Sequence, residues 1–103
     1  MILVDARCTI LPERRSDFVR EVREIIPLVR REAGCIRYEF MADVGDAEVF
    51  HFIEVWESQK HLDDHLVLPH MQEYFATTTP WHAAPTVLFI YETSSSRSIT
   101  MSG

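Results

Sequence analysis

Strands whose apolar residues recur at every second position, two segments with a helical apolar period, and a turn signal at 43–47 predict an α+β fold of order β-α-β-β-α-β. That order is the split βαβ arrangement of the ferredoxin-like class, one antiparallel sheet carrying its helices on one face. The 103 residues suffice for one domain and not for two. The domain is expected over 1–93. The Ser-rich stretch 94–103 has little to bury and is expected to be a flexible C-terminal tail.

The first strand is read over 2–11. Ile2, Val4, Ala6, Cys8 and Ile10 share one side, and Leu3, Asp5, Arg7, Thr9 and Leu11 the other. A period of two with one clean apolar face is a half-buried strand. Pro12, which has no N–H to donate, ends the ladder. Over 13–33, Phe18, Val22, Ile25, Ile26 and Val29 fall on one helical stripe with the charges mostly off it. Pro27 inside this pattern predicts a bend or a local break, and Gly34 a C-terminal stop.

Ile36, Tyr38 and Phe40 alternate with Arg37, Glu39 and Met41 in a second strand over 35–42, and 43–47 reads as the hairpin turn. In the third strand, 48–57, Phe50, Phe52, Glu54 and Trp56 point one way and Val49, His51, Ile53 and Val55 the other. Both sets are mainly apolar, so cover on both sides is expected. Ser58 is a good N-cap for a helix over 59–67, and Pro69 can open a second short helix through Phe75. Residues 77–80 and 83–85, rich in Thr, Ala and Pro, read as loop. Val87, Phe89 and Tyr91 against Leu88 and Ile90 make the last strand. The face bearing Leu3, Ile53 and Val55 has no helix to cover it. An uncovered apolar face predicts an interaction surface, and a homodimer, sheet against sheet, is its simplest cover.

The formal charge is −6, and the ten basic residues, nine Arg and one Lys, form no long basic run. A nucleic-acid partner, whose phosphates demand a concentrated positive face, is not expected, nor is an anionic membrane surface. No apolar run approaches the ~18 residues of a membrane span, and the N-terminus lacks the pattern of a leader peptide. Cys8 and Cys35, without CxxC spacing, read as buried thiols in a reducing compartment, so a cytoplasmic location is expected.

Arg31-Glu32-Ala33-Gly34-Cys35-Ile36-Arg37-Tyr38 at the second strand, then Ile53-Glu54-Val55-Trp56-Glu57-Ser58, His61-Leu62, His65-Leu66, Pro69-His70-Met71 and Tyr74, resemble the antibiotic biosynthesis monooxygenase family, within it the quinol monooxygenase-like members. The resemblance covers about residues 2–92. It implies a dimeric ferredoxin-like α/β barrel. The activities it implies are mixed: cofactor-free oxygenation of quinols and polyketide phenols, haem degradation, and isomerisation of a phosphorylated signalling sugar. Members of the haem-degrading branch carry an Asn in the first strand, where this chain has Asp5-Ala6. They carry a Trp where it has His65 and a ligand His where it has Tyr74-Phe75, so no haem is expected.

His65 shares a helix stripe with Leu62 and Leu66 and so faces the core. It is read either as a histidine bonded to a carbonyl or as a general base or donor, and the resemblance favours the second. Glu54, a carboxylate on an apolar strand face, needs a partner. An Arg or Tyr38 is one reading, and orienting a histidine is the other. Trp56 is either core packing or a wall on which a flat aromatic substrate stacks, with Phe52 helping to hold the ring. Tyr38, His70 and Tyr74 are candidate contacts for substrate oxygens. His61, one turn before His65, has a metal-pair spacing but no third ligand, and no metal is expected. His51 falls on the presumed dimer face, and His82 in a loop. With three glycines and no phosphate or dinucleotide fingerprint, no cofactor is expected.

The expected function is therefore a cofactor-independent monooxygenase that oxidises a quinol or polyhydroxylated aromatic small molecule with O2. His65 and Glu54 are the catalytic pair, and Trp56, Phe52, Tyr38, His70 and Tyr74 bind substrate. Two alternatives keep the fold. One is an isomerase or degrading enzyme for a small, phosphorylated or plain, carbonyl compound. The other is a non-catalytic dimeric ligand-binding module.

Overall fold

The computed structural model describes residues 1–103. Its elements are β1 (Ile2–Ile10), α1 (Arg15–Arg30), β2 (Cys35–Ala42), β3 (Val49–Trp56), α2 (Gln59–Leu66), α3 (Pro69–Thr78) and β4 (His82–Glu92), with 3-10 turns at Pro12–Arg14 and Thr79–Trp81. The four strands form one antiparallel sheet in the order β2-β3-β1-β4. This is the predicted ferredoxin-like α+β fold, with its second helix in two pieces.

Register decides what reaches the interior. Val4 pairs with Glu54, Ala6 with Phe52 and Cys8 with Phe50, so the apolar positions of β1 share one face with Phe50, Phe52, Glu54 and Trp56. All of these are buried. The stripe Phe18, Val22, Ile25 and Val29 of α1 closes over them. Phe18 meets the rings of Phe40, Phe50 and Tyr74 at centroid distances of 5.5–6.4 Å. Core aromatics of this size dominate the burial energy of a small domain.

α1 runs unbroken through Pro27, where a bend or break was predicted. Pro27 and Arg23 both lie on the exposed face of α1, so the Arg23 carbonyl deprived of its partner can take a hydrogen bond from water. Gly34 ends the following turn with φ of 79°, and a Cβ there would run into the His61 ring. Two needs, a left-handed backbone and room for a neighbour, meet at this one glycine. α3 continues to Thr78 rather than stopping at Phe75. The Thr78 and Thr79 hydroxyls donate to the carbonyls of Tyr74 and Phe75, which closes the last turn. β4 begins at His82, taking in the Ala-Ala-Pro stretch read as loop.

The outer face carries Leu3, Asp5, Arg7, His51, Ile53, Val55, Val87, Phe89 and Tyr91, matched across the strands by the same register. No element covers it, so on the outer side of β3 only Val49, at the strand's start, is fully buried and His51, Ile53 and Val55 are half-buried, where cover on both sides was expected. Val87, Phe89 and Tyr91 are exposed. Residues beyond Thr93 form no helix or strand. No helix is long and apolar enough to cross a membrane.

Candidate active site

A cavity of about 340 Å³ lies between the inner sheet face and the helices α2 and α3. Ala6 and Cys8 of β1, Tyr38 of β2, and Phe52 and Glu54 of β3 form its floor. Leu66, Met71, Tyr74 and Phe75 form its roof, and His82, Ala84, Pro85, Thr86 and Leu88 its β4 side. His65 enters from α2. Ser58 caps that helix by accepting the His61 N–H, which sets its rotation and turns Leu62 and His65 inward.

Five of the seven predicted site residues therefore line one cavity: Glu54, His65, Phe52, Tyr38 and Tyr74. Trp56 and His70 do not reach it. Trp56 is 0% exposed, and its ring packs 4.6 Å from that of His65. Its indole N–H donates to Glu54 Oε1 at 2.9 Å. The partner of Glu54 is thus this N–H, neither an Arg nor Tyr38. Trp56 acts on the site from behind, by holding a carboxyl and an imidazole in place. His70 sits on the far side of Glu32, at 2.7 Å from Glu32 Oε2.

Glu32 carries the part of the site that sequence reasoning missed. It stands in the turn after α1, in a stretch that reads as surface, yet its side chain is only 6% exposed. His65 Nδ1–H donates to Glu32 Oε1 at 2.8 Å. Glu32, rather than Glu54, is the carboxylate that orients the histidine. The bond fixes the Nδ1–H tautomer and leaves Nε2 as the free ring nitrogen. The available signal was the demand of a core histidine for a buried acceptor.

Nε2 of His65 stands 4.0 Å from Glu54 Oε1. Two groups at that separation can both bond a single hydroxyl oxygen about 2.8 Å from each. Burial pushes the Glu54 carboxyl up to about 7, opposed by the Trp56 bond and aided by the negative charge of Glu32. Burial also lowers His65, and the charge of Glu32 and its hydrogen bond pull the other way. Near neutrality the imidazole is a neutral base and the carboxyl is poised between its two forms. Burial holds Tyr38 and Tyr74 well above the usual phenol range, so both stay protonated donors. Burial raises Cys8 likewise, which leaves it a thiol rather than a nucleophile.

His82, which had no assigned role, also lines the cavity; its Nδ1–H donates to the Thr78 carbonyl at 2.9 Å. His61 lies against Ser58, its Nδ1 2.7 Å from Oγ, and does not face His65's partners. His51 is on the outer face between Asp5 and Asp43. No group of three or more His, Cys, Asp or Glu side chains is arranged to hold a metal ion.

The family profile described as antibiotic biosynthesis monooxygenase matches residues 1–77. An uncharacterized protein of Synechocystis is 28% identical over 98 residues, covering 95% of this chain and 67% of that one. The Escherichia coli protein named probable quinol monooxygenase YgiN is 35% identical over 68 residues, covering 58% of this chain and 65% of that protein. The structure of Rv0793 from Mycobacterium tuberculosis superposes with a TM-score of 0.86 at 24% identity, covering 94% of this chain and 98% of that one.

Proposed function

The chain belongs to the antibiotic biosynthesis monooxygenase family, and on that premise we propose that it is a cofactor-independent monooxygenase of a quinol or polyhydroxylated aromatic. The observation that carries this reading is the convergence of Glu54 and His65 on one apolar, aromatic-walled cavity. About 340 Å³ is at the small end of ligand cavities and suits a small aromatic.

The chemistry asks little of a protein. A substrate hydroxyl gives its proton to His65 Nε2 or to the Glu54 carboxylate. The electron-rich phenolate passes one electron to O2, and the resulting radical pair joins in a new C–O bond. The hydroperoxide then breaks its O–O bond and releases water. Quinol plus O2 becomes hydroxyquinone plus water, so no external reductant is needed. Phe52 and Tyr38 flank the ring. The protonated Tyr38 and Tyr74, both buried, can donate to the oxygens on which charge develops.

The acting species in this reading is a homodimer. Phe89, Tyr91, Ile53 and Val55 form the apolar outer face, while Leu88 and Ile90, on the inner side of the edge strand β4, are exposed as well. A second copy that packs on the outer face and wraps around the β4 edge would also cover Ala84, Pro85 and Leu88, where the cavity wall is exposed. The unpaired thiols Cys8 and Cys35 fit a reducing compartment such as the cytoplasm.

Oxygen uptake by metal-free protein over a panel of quinols and polyhydroxyaromatics tests the proposal, with His65→Ala and the better-filling His65→Gln as controls. Protein-dependent uptake lost in both folded variants is expected. No uptake above autoxidation would overturn the oxygenase reading and return the site to an isomerase or a ligand-binding module.

A further inference from the structure

Glu32 bonds two imidazoles, and orienting His65 requires only one of those bonds. Four titratable side chains, each from a different segment, follow one another from the cavity outward: Glu54 on β3, His65 on α2, Glu32 after α1 and His70 at the start of α3. The separations are 4.0 Å, 2.8 Å and 2.7 Å. Side-chain exposure along the row is 8%, 1%, 6% and then 27%. Three members are sealed from solvent and the last is open to it.

His70 does not line the cavity. It lines a groove of about 260 Å³ between α1 and α3 whose walls include Glu21, Glu24 and Glu73. Tyr74 borders both this groove and the cavity, so one side chain separates the two spaces. The groove's carboxylates favour a proton at its mouth.

We propose that His65, Glu32 and His70 form a proton conduit that joins the buried Glu54–His65 end of the cavity to solvent in the α1–α3 groove. Its use in turnover rests on the oxygenase reading; its existence does not. A proton taken up from the cavity at His65 Nε2 makes an imidazolium, which passes its Nδ1 proton to Glu32. Glu32 is reset by giving a proton to the His70 ring once that ring, which exchanges its protons with water, presents a bare Nε2. His70 then releases a proton to the groove. One proton leaves the substrate, one enters solvent, no electrons move, and His65 is left as the Nε2–H tautomer. As water forms, Nε2–H gives its proton to the departing oxygen, and Glu32, protonated in turn from solvent through His70, returns a proton to Nδ1. His65 thus recovers its starting form, and the turnover of quinol and O2 releases no net proton.

The conduit is tested on the ligand-free protein by the exchange of the His65 Nδ1 proton with water, read by NMR. His70→Gln keeps an N–H donor for Glu32 but cannot relay a proton, and at a half-exposed position it leaves the core intact. Exchange should slow by about tenfold or more in His70→Gln and recover when imidazole is added. Unchanged exchange, or slowing that imidazole does not reverse, would overturn the conduit and leave Glu32 a structural clamp. With an active substrate, the same variant should lower kcat and spare KM. If no quinol is oxidised by the wild type, the exchange measurement still decides the conduit while the oxygenase reading falls.

Discussion

Glu54 and His51 stand three residues apart on β3 and point to opposite faces of the sheet. Glu54 lies on the inner face with a single hydrogen-bond donor, and burial raises its pKa by disfavouring the charge. His51 lies on the outer face between the Asp5 and Asp43 carboxylates, which raise its pKa by favouring the charge. Both shifts have the same sign and opposite causes. On the inner face an ionisable group is held against its preference, which is how a reactive carboxyl near neutrality is made. On the outer face charge is satisfied locally and the apolar side chains between are left bare. The inner face thus carries an ionisable group at a cost in stability, and the outer face leaves its apolar side chains uncovered.

The largest effect should come from Trp56→Ala. It empties a fully buried indole and removes both the contact with His65 and the only hydrogen bond to Glu54. A loss of about 3–5 kcal/mol is expected in chemical denaturation. Trp56→Phe keeps most of the packing, and without the indole N–H it should move Glu54 further above about 7. A pH–rate profile that does not shift in Trp56→Phe would break the link between that bond and the carboxyl.

Glu54→Gln separates stability from chemistry. A raised carboxyl pKa means that the folded state keeps a proton which the unfolded chain releases between pH 4.5 and about 7. The stability this gives is full below 4.5 and is lost as pH rises to about 7. At about 1.4 kcal/mol per pH unit the ceiling is near 3 kcal/mol. Glu54→Gln, fixed in a neutral form, should therefore be more stable than wild type by about 2–3 kcal/mol above pH 7 and equal to it below pH 4.5. Turnover should fall at all pH values. A variant no more stable at pH 8 would mean that the carboxyl is not held out of water.

On the outer face, Phe89→Glu places a charge in the middle of the exposed apolar strip, at a residue 47% exposed. Light scattering should find association weakened by about tenfold or more, while the unfolding free energy of the separated chain moves by about 0.5 kcal/mol or less. A dimer unaffected by this change would have to use another surface.

The same contrast explains how much was legible in the sequence. Both faces of β1 and β3 could be assigned because a period of two survives any detail of packing. The cavity residues on those strands followed directly. His65 was placed by the stripe it shares with Leu62 and Leu66. What could not be read was pairing across the fold. Glu32 is surrounded in sequence by Arg31 and Ala33, and nothing local distinguishes it from a solvated charge. The same gap sent Trp56 to the cavity wall, because its strand face was legible and its depth was not. Residues 77–80 read as loop, yet the hydroxyls of Thr78 and Thr79 finish a helix there. Pro85, in turn, sits in a strand at the sheet edge, where its missing N–H costs no ladder bond.

The smallest predicted effect belongs to His51. Its Nδ1 lies 3.1 Å from Asp5 Oδ1 and its Nε2 3.0 Å from Asp43 Oδ1. Both carboxylates accept, so both ring nitrogens must carry protons for both bonds to form, and only the imidazolium has two. The stabilisation from this bridge between β1 and the β2–β3 turn is fully present below the unfolded pKa of about 6.5 and is lost as pH rises through the higher folded value. The groups are partly solvated, so the term is about 1 kcal/mol or less. His51→Gln should thus be less stable than wild type at pH 6 and indistinguishable from it at pH 9, the reverse of the pH order expected for Glu54→Gln. The bridge also borders the face proposed to meet a second copy, where loss of solvent would strengthen a satisfied ion pair. If that face is an interface, the pH 6 difference should grow with protein concentration. A difference that persists unchanged to pH 9 would show that His51 acts through packing, and the contrast between a buried reluctant acid and a paired exposed base would then fail on its outer side.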